Sequence, residues 1–369
     1  MPTVKIVEVA RVAPPPEDLV LRLSPLDAPW MVIPLIQRVL LFDDPDGQLP
    51  PFASLICSLR ASLTATLALF PPLAGRIVLL PSTGDAAIDC SASDSEGRGV
   101  RFVVAEMDDT DAGRLAGNVD HDVDAFKALV PELQTDALPT EVLAVQVTRL
   151  NGGVAVGVAM HHAVVDGRSV WRFLEAWAVA SRGDVAVAAQ TFDRAAVAVP
   201  GGEELARSTL RKYAPDLPLA PMRFPPGPNL PRRTFTFAAQ HIHRLKQRIS
   251  DLTVSPPSPQ AATPALSSFV AIAALTWVSF VRSKHLDAIT RDHDVYLFFF
   301  YDCRGRRGID PPVSDNYFGT CITGCLAKGT ARDLLEEDGI ATAAAAVQRE
   351  VRRAAENPLA LWDWMDIMS

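Results

Sequence analysis

The stretch from Val142 to Met160 constrains the fold more than any other part of the chain. Two strand-like runs, Val142 to Leu150 and Val154 to Met160, flank Asn151-Gly152-Gly153, a turn built of residues that accept positive backbone angles. In the second run Val154, Val156, Val158 and Met160 share one face, while Ala155, Gly157 and Ala159 share the other. Both faces are apolar, so this strand belongs inside a sheet that is covered on both sides. The run leads straight into His161-His162. An imidazole is thereby delivered to a strand end, where a cleft can lie.

The neighbouring sequence supplies helices to cover such a sheet. Phe52 to Phe70 repeats leucine every fourth residue at Leu55, Leu59, Leu63 and Leu67, and Pro71-Pro72 ends it, because proline lacks an amide hydrogen and clashes with the preceding turn. Val4 to Val12 reads as a strand. Residues 1–182 therefore form an α/β domain. From Gly183 to about 232 prolines accumulate and helical periodicity fades, which predicts a crossing linker. Residues 233–369 then form a second domain. It comprises a strand over Arg233 to Phe237, an amphipathic helix near Ile242 to Leu252, an apolar helix over Ala265 to Val281, a strand over Val295 to Tyr301 and an alanine-rich helix from Gly339 to about Ala355. A length of 369 residues agrees with two cores better than with one.

Composition narrows the function. A net charge of −8 and a pI near 5.4 offer no basic stripe to neutralise phosphates, which excludes a nucleic-acid partner. The apolar run Ala265 to Val281 is short for a membrane span and contains Ser267, Ser268, Thr276 and Ser279, so it reads as a buried helix. The five cysteines are scattered and odd in number, which predicts reduced thiols. A soluble, cytoplasmic protein is the expectation.

The chemistry concentrates in His161-His162-Ala163-Val164-Val165-Asp166-Gly167. Histidine suits general-base work because its ordinary pKa of about 6.5 lies near working pH. Asp166 has two possible jobs: to orient the imidazole, or to turn away and pin the loop against a cation. The second is favoured, since a carboxylate just before a helix also gains from its dipole. Gly167 permits a sharp turn, and Ser169 reads as the N-cap of a helix that buries Val170, Phe173, Leu174 and Trp177. No serine or cysteine nucleophile lies beside this turn, which favours direct transfer over a covalent intermediate. Two plainer readings stand beside this one: a satisfied strand-end histidine pair, and a metal site. The metal reading lacks a third ligand at suitable spacing.

His162 to Gly167 matches the HxxxDG motif of the BAHD acyltransferases of plants, and further stretches match that family in order. They are Leu59 to Arg76 with its FPPLAGR ending, Ser267-Ser268-Phe269 through Trp277, Asp302-Cys303-Arg304-Gly305-Arg306, and Asn316-Tyr317-Phe318-Gly319-Thr320-Cys321. The last resembles the YFGNC segment of the malonyltransferase-like branch, with Thr320 in the asparagine position. The resemblance implies an α/β fold of two chloramphenicol acetyltransferase-like subdomains, with mixed sheets flanked by helices. The family's DFGWG segment has no counterpart in this sequence, so the second subdomain is expected to be incomplete, and a non-catalytic remnant is the alternative reading.

What the resemblance implies for chemistry is transfer of an acyl group from acyl-CoA, malonyl-CoA favoured, to a hydroxyl of a phenolic or flavonoid glucoside. His162 would act as base in a ternary complex, with Asp166 positioning the loop. Arg304 would be the salt-bridge partner of Asp166, and Ser267 and Ser268 would meet coenzyme A. For Arg304 a solvated strand end, and for either serine plain helix capping, are the readings to set against these. A hydroxycinnamoyl donor is the runner-up. The family generally works as a monomer without a bound metal or permanent cofactor.

Overall fold

Two hydrogen-bonded partners flank the strand that carries the histidines. The computed structural model describes residues 4–15, 17–91, 99–135, 137–184, 188–197, 201–213, 232–253, 266–284, 292–306 and 308–358. The chain divides into two compact units: Met1–Thr234 together with Val313–Cys321, and Phe235–Pro312 together with Ile322–Ser369.

In the first unit the strands are β1 (Lys5–Val12), β2 (Val20–Arg22), β3 (Ile36–Asp43), β4 (Arg76–Leu80), β5 (Asp85–Asp89), β6 (Val100–Asp111), β7 (Asp120–His121), β8 (Thr140–Glu141), β9 (Leu143–Asn151), β10 (Gly153–Met160) and β11 (Arg232–Arg233). The helices are α1 (Phe52–Leu69), α2 (Ala112–Gly117), α3 (Val123–Ala128), α4 (Gly167–Ser181) and α5 (Gly202–Tyr213). The main sheet has the order β1-β6-β9-β10-β3, with β6 and β9 parallel and the other neighbours antiparallel. A smaller sheet runs β2-β5-β4-β8. At the β9–β10 turn Gly152 takes φ +67°, while Gly153 is needed for space, since a Cβ there would run into the Phe42 carbonyl oxygen. Gly157 allows the chain at Leu129 and Val130 to lie directly on the sheet. On the opposite face α1 and α4 pack together, and the Trp177 indole N–H donates to the Ser62 hydroxyl at 3.0 Å.

The second unit contains α6 (Ala239–Leu252), α7 (Ser268–Ser283), the antiparallel pair β12 (Asp294–Asp302) and β13 (Ile322–Thr330), α8 (Ala331–Leu335) and α9 (Gly339–Glu356). Its core joins Val270, Ala274, Trp277 and Val278 of α7 to Ala343 and Val347 of α9 and Ala327 of β13. The fold is the expected α/β arrangement of sheets flanked by helices.

Several boundaries differ from expectation. The stretch read as a linker contains α5 and a 3-10 turn over Arg194–Ala196 that buries Arg194, and both belong to the first unit. Of residues 233–237 only Arg233 is in a strand, as the second residue of β11, which pairs with β7. The tryptophans at 362 and 364 and much of the proline-rich stretch, 214–231, lie outside the described residues.

Candidate active site

The strand β10 ends at Met160, and the next amide, of His161, still donates to the Val142 carbonyl at 2.8 Å. This last ladder bond fixes the start of the histidine loop. His161 is fully buried, and the Ala163 N–H donates to its Nδ1 at 3.2 Å, which leaves the ring proton on Nε2. Burial, then the neighbouring His162, pushes the His161 pKa down to about 3. It is a core histidine.

His162 differs in its surroundings. Its ring stacks on the Trp30 indole with centroids 3.8 Å apart and planes 16° from parallel. Burial pushes its pKa down to about 4, against upward pulls from its own backbone and from the Asp166 charge. The imidazole is therefore neutral at pH 7, the state a general base requires. Among the described residues its Nδ1 has no hydrogen-bond partner. Asp166 thus does not orient the ring in the way a triad carboxylate would.

Asp166 instead holds backbone. Oδ1 accepts from the Ser169 N–H at 2.9 Å and Oδ2 from the Cys321 N–H at 3.1 Å. The first of these makes Asp166, not Ser169, the N-cap of α4. The capping expectation was displaced by three residues because the hydroxyl of Ser169 has another use: it accepts from the Gly319 N–H and donates to the Gly319 carbonyl. Gly167 opens the helix without a left-handed φ, and a Cβ there would meet nothing within 4 Å, so no sharp turn demands this glycine.

Two residues absent from the sequence reading, Asp27 and Arg194, complete the setting together with Thr320 and Tyr317. The Thr320 hydroxyl donates to the His162 carbonyl at 2.7 Å, and its amide donates to Asp27 Oδ1 at 3.1 Å. The buried Arg194 reaches Asp27 at 3.0 Å, the Tyr317 hydroxyl at 3.1 Å and the Val164 carbonyl at 3.1 Å. Burial works to lower the Arg194 pKa, and the Asp27 charge with the hydrogen bond to the Tyr317 hydroxyl outweighs it, so the guanidinium stays cationic. The available signal was partial: Asp27 is a lone charge between Leu26 and Ala28, whereas Arg194 follows Asp193 and only precedes the apolar Ala195-Ala196-Val197. Buried charges demand partners.

In the second unit Ser267 caps α7, its hydroxyl accepting from the Val270 N–H at 3.1 Å, and Ser268 is exposed beside it. Arg304 is buried, with Nη1 2.9 Å from Asp302 Oδ1. An apolar cavity of about 300 Å³ in the first unit lies between β3 and β10 on one side and α1 and α4 on the other. Its lining includes Leu40, Phe42, Val156 and Trp177, and it lies roughly 20 Å up the strand from His162 at ~3.3 Å per residue, apart from the histidine loop.

The fold is that of the acyltransferases built like chloramphenicol acetyltransferase. Vinorine synthase, whose crystal structure superimposes with a TM-score of 0.64 at 20% identity, covers 95% of this chain and is itself covered to 76%. The family follows from sequence. The chain matches the Transferase family over residues 3–366 and belongs to it, the BAHD acyltransferases. It is 30% identical over 375 residues to a malonyl-coenzyme:anthocyanin 5-O-glucoside-6'''-O-malonyltransferase of Salvia splendens, spanning 96% of this chain and 76% of that one. It is 28% identical over 388 residues to phenolic glucoside malonyltransferase 1 of Arabidopsis thaliana, spanning 96% and 79%. Members of this family use acyl-CoA as co-substrate.

Proposed function

We propose that this chain transfers a malonyl group from malonyl-CoA to a hydroxyl of a phenolic or flavonoid glucoside, with His162 as general base. The observation that carries the reading is a neutral imidazole at the end of β10, in a loop where Asp166 accepts from the Ser169 amide and the His162 carbonyl accepts from Thr320. The names of the malonyltransferase relatives support the donor and the acceptor class. His162 takes the proton of the acceptor hydroxyl as its oxygen attacks the thioester carbonyl. The C–S bond then breaks, and the thiolate leaves with a proton as free coenzyme A. Direct attack in a ternary complex agrees with the absence of a serine or cysteine in the 161–167 loop. Asp166 positions the loop, and Arg304 is proposed as its charge partner. The exposed hydroxyls of Ser267 and Ser268, with the free amides that begin α7, are proposed to meet the phosphate or pantetheine of coenzyme A. The protein is proposed to work as a cytoplasmic monomer.

The test is turnover of malonyl-CoA with a panel of phenolic glucosides by the chain and by His162→Ala. A loss of roughly two to four orders of magnitude in kcat is expected for the variant. The acid limb of kcat/KM should fall well below pH 6, because the unprotonated imidazole is the active form and burial has lowered its pKa to about 4. Activity that halves near pH 6.5 would contradict that placement. Turnover with a hydroxycinnamoyl-CoA and none with malonyl-CoA would move the donor to the runner-up class. No turnover with either leaves a non-catalytic family member.

A further inference from the structure

We infer that the segment Ser24–Val32 is the positioning element of the catalytic loop, with Trp30 setting the plane of the His162 imidazole and Asp27, through Arg194, setting the height of the loop backbone. The inference rests on His162 being the proposed base and assigns roles to residues outside the HxxxDG motif.

The geometry is built from the middle of the segment outward. Ser24 and Asp27 close a local turn, in which the Ser24 N–H donates to Asp27 Oδ2 at 2.8 Å and the Asp27 N–H donates to the Ser24 hydroxyl at 3.2 Å. The free face of the carboxylate, Oδ1, receives Arg194 and the Thr320 N–H. Each of these partners has a second contact on the histidine loop. Arg194 reaches the Val164 carbonyl, and Thr320 reaches the His162 carbonyl through its hydroxyl. One carboxylate therefore holds carbonyls on both sides of Ala163. Three residues beyond Asp27, in the 3-10 turn Ala28–Val32, Trp30 lies flat on the imidazole itself. Trp30 is 2% exposed, so its own placement is fixed by packing.

The His162 ring needs such support. Its Nδ1 has no hydrogen-bond partner among the described residues, so no triad-like carboxylate sets its rotation. A flat aromatic face at 3.8 Å allows the ring to slide in its plane and resists tilting out of it. An imidazole free to tilt would present its nitrogen to the acceptor hydroxyl only part of the time, and misplacement of about 1 Å costs on the order of a hundredfold in rate.

The experiment uses the full chain and two readouts. The first is the 1H–13C spectrum of the seven histidines, with His162→Ala identifying the signal. The Asp166 and Arg38 charges and the His161 ring face the same imidazole, so spectra of all variants are compared at one pH, 7.5. Stacking on Trp30 displaces the His162 Hε1 resonance upfield, and Trp30→Leu should return it downfield and broaden it. Trp30→Phe should keep much of the displacement. The second readout is turnover. Trp30→Leu should lower kcat about 10- to 100-fold with KM for acyl-CoA within about threefold, and Trp30→Phe should recover most of kcat. Arg194→Lys, which keeps the charge and cannot reach all three partners, should move the same resonance and lower kcat below its melting temperature.

A folded Trp30→Leu variant with an unmoved resonance overturns the inference. So does one whose kcat matches the parent. If the parent turns over no acyl-CoA, the proposed function fails, and the resonance alone still decides whether Trp30 and Arg194 position the ring.

Discussion

At the scale of single residues, the buried charge pair between Asp27 and Arg194 makes its surroundings intolerant of added volume. Gly319 shows this most sharply. A Cβ at Gly319 would overlap the Arg194 guanidinium and come within 2.7 Å of the Tyr317 ring and hydroxyl. Its φ is not left-handed, so the demand for glycine is one of space rather than backbone conformation. Gly319→Ala should therefore push Arg194 off Asp27 and cost roughly 3–5 kcal/mol, the usual penalty for breaking a buried pair. Gly167→Ala, in open space at the first turn of α4, should stay within about 0.5 kcal/mol of the parent. Urea unfolding of both variants measures the contrast. Equal costs would mean that steric exclusion by Arg194 does not govern position 319. At this scale the sequence placed His162 at a strand end, because strand, histidine and aspartate follow one another in the chain. It did not reveal Trp30, Asp27 or Arg194, whose meaning depends on partners more than 130 residues away.

At the scale of elements, the legible ones were those with a strong apolar period. The turn Asn151-Gly152-Gly153, the burial of Val170, Phe173, Leu174 and Trp177 on α4, and the alanine-rich α9 all follow the pattern that predicted them. The helix α5 was missed, because its sequence GEELARSTLRKY is mostly polar and begins with glycine. Ion pairs support it instead: Arg207 meets Asp85 at 3.0 Å and Glu204 at 3.1 Å. Among its described residues only Gly202, Ala206, Thr209 and Leu210 are buried, a narrow stripe that a periodicity argument overlooks. A linker and a packed helix respond differently to truncation. Leu210→Ala should lower the stability of the chain by about 2 kcal/mol, at the low end for a buried leucine because the site lies at the edge of the core. A shift below about 0.5 kcal/mol in the urea midpoint would return residues 202–213 to the status of a tether.

At the scale of the whole molecule, the division of the chain is not sequential. A composition shift suggested a boundary near 183–232, yet the first unit runs to Thr234 and takes back Val313–Cys321. Composition cannot show this, since the returning segment is short and its commitments are hydrogen bonds. The Phe318 N–H donates to the Thr191 carbonyl at 2.8 Å, the Cys321 N–H caps Asp166, and the Thr320 N–H meets Asp27. Phe318 also sits 4.9 Å from Phe70 and 5.7 Å from Phe192, ring to ring. A fragment ending at Thr234 would keep the HxxxDG motif, Asp27, Trp30 and Arg194, yet lose every one of these donors. Buried carboxylates left short of donors are costly, each by roughly 1–3 kcal/mol or more. The fragment 1–234 should therefore melt without a sharp transition, and a synthetic peptide of residues 313–321 should raise and sharpen its melting curve in a concentration-dependent way. Circular dichroism against temperature, with a peptide carrying Tyr317→Ala and Phe318→Ala as the control, distinguishes the outcomes. A fragment that melts cooperatively without the peptide would show that the first unit is complete in its N-terminal part and that the returning segment serves the histidine loop alone.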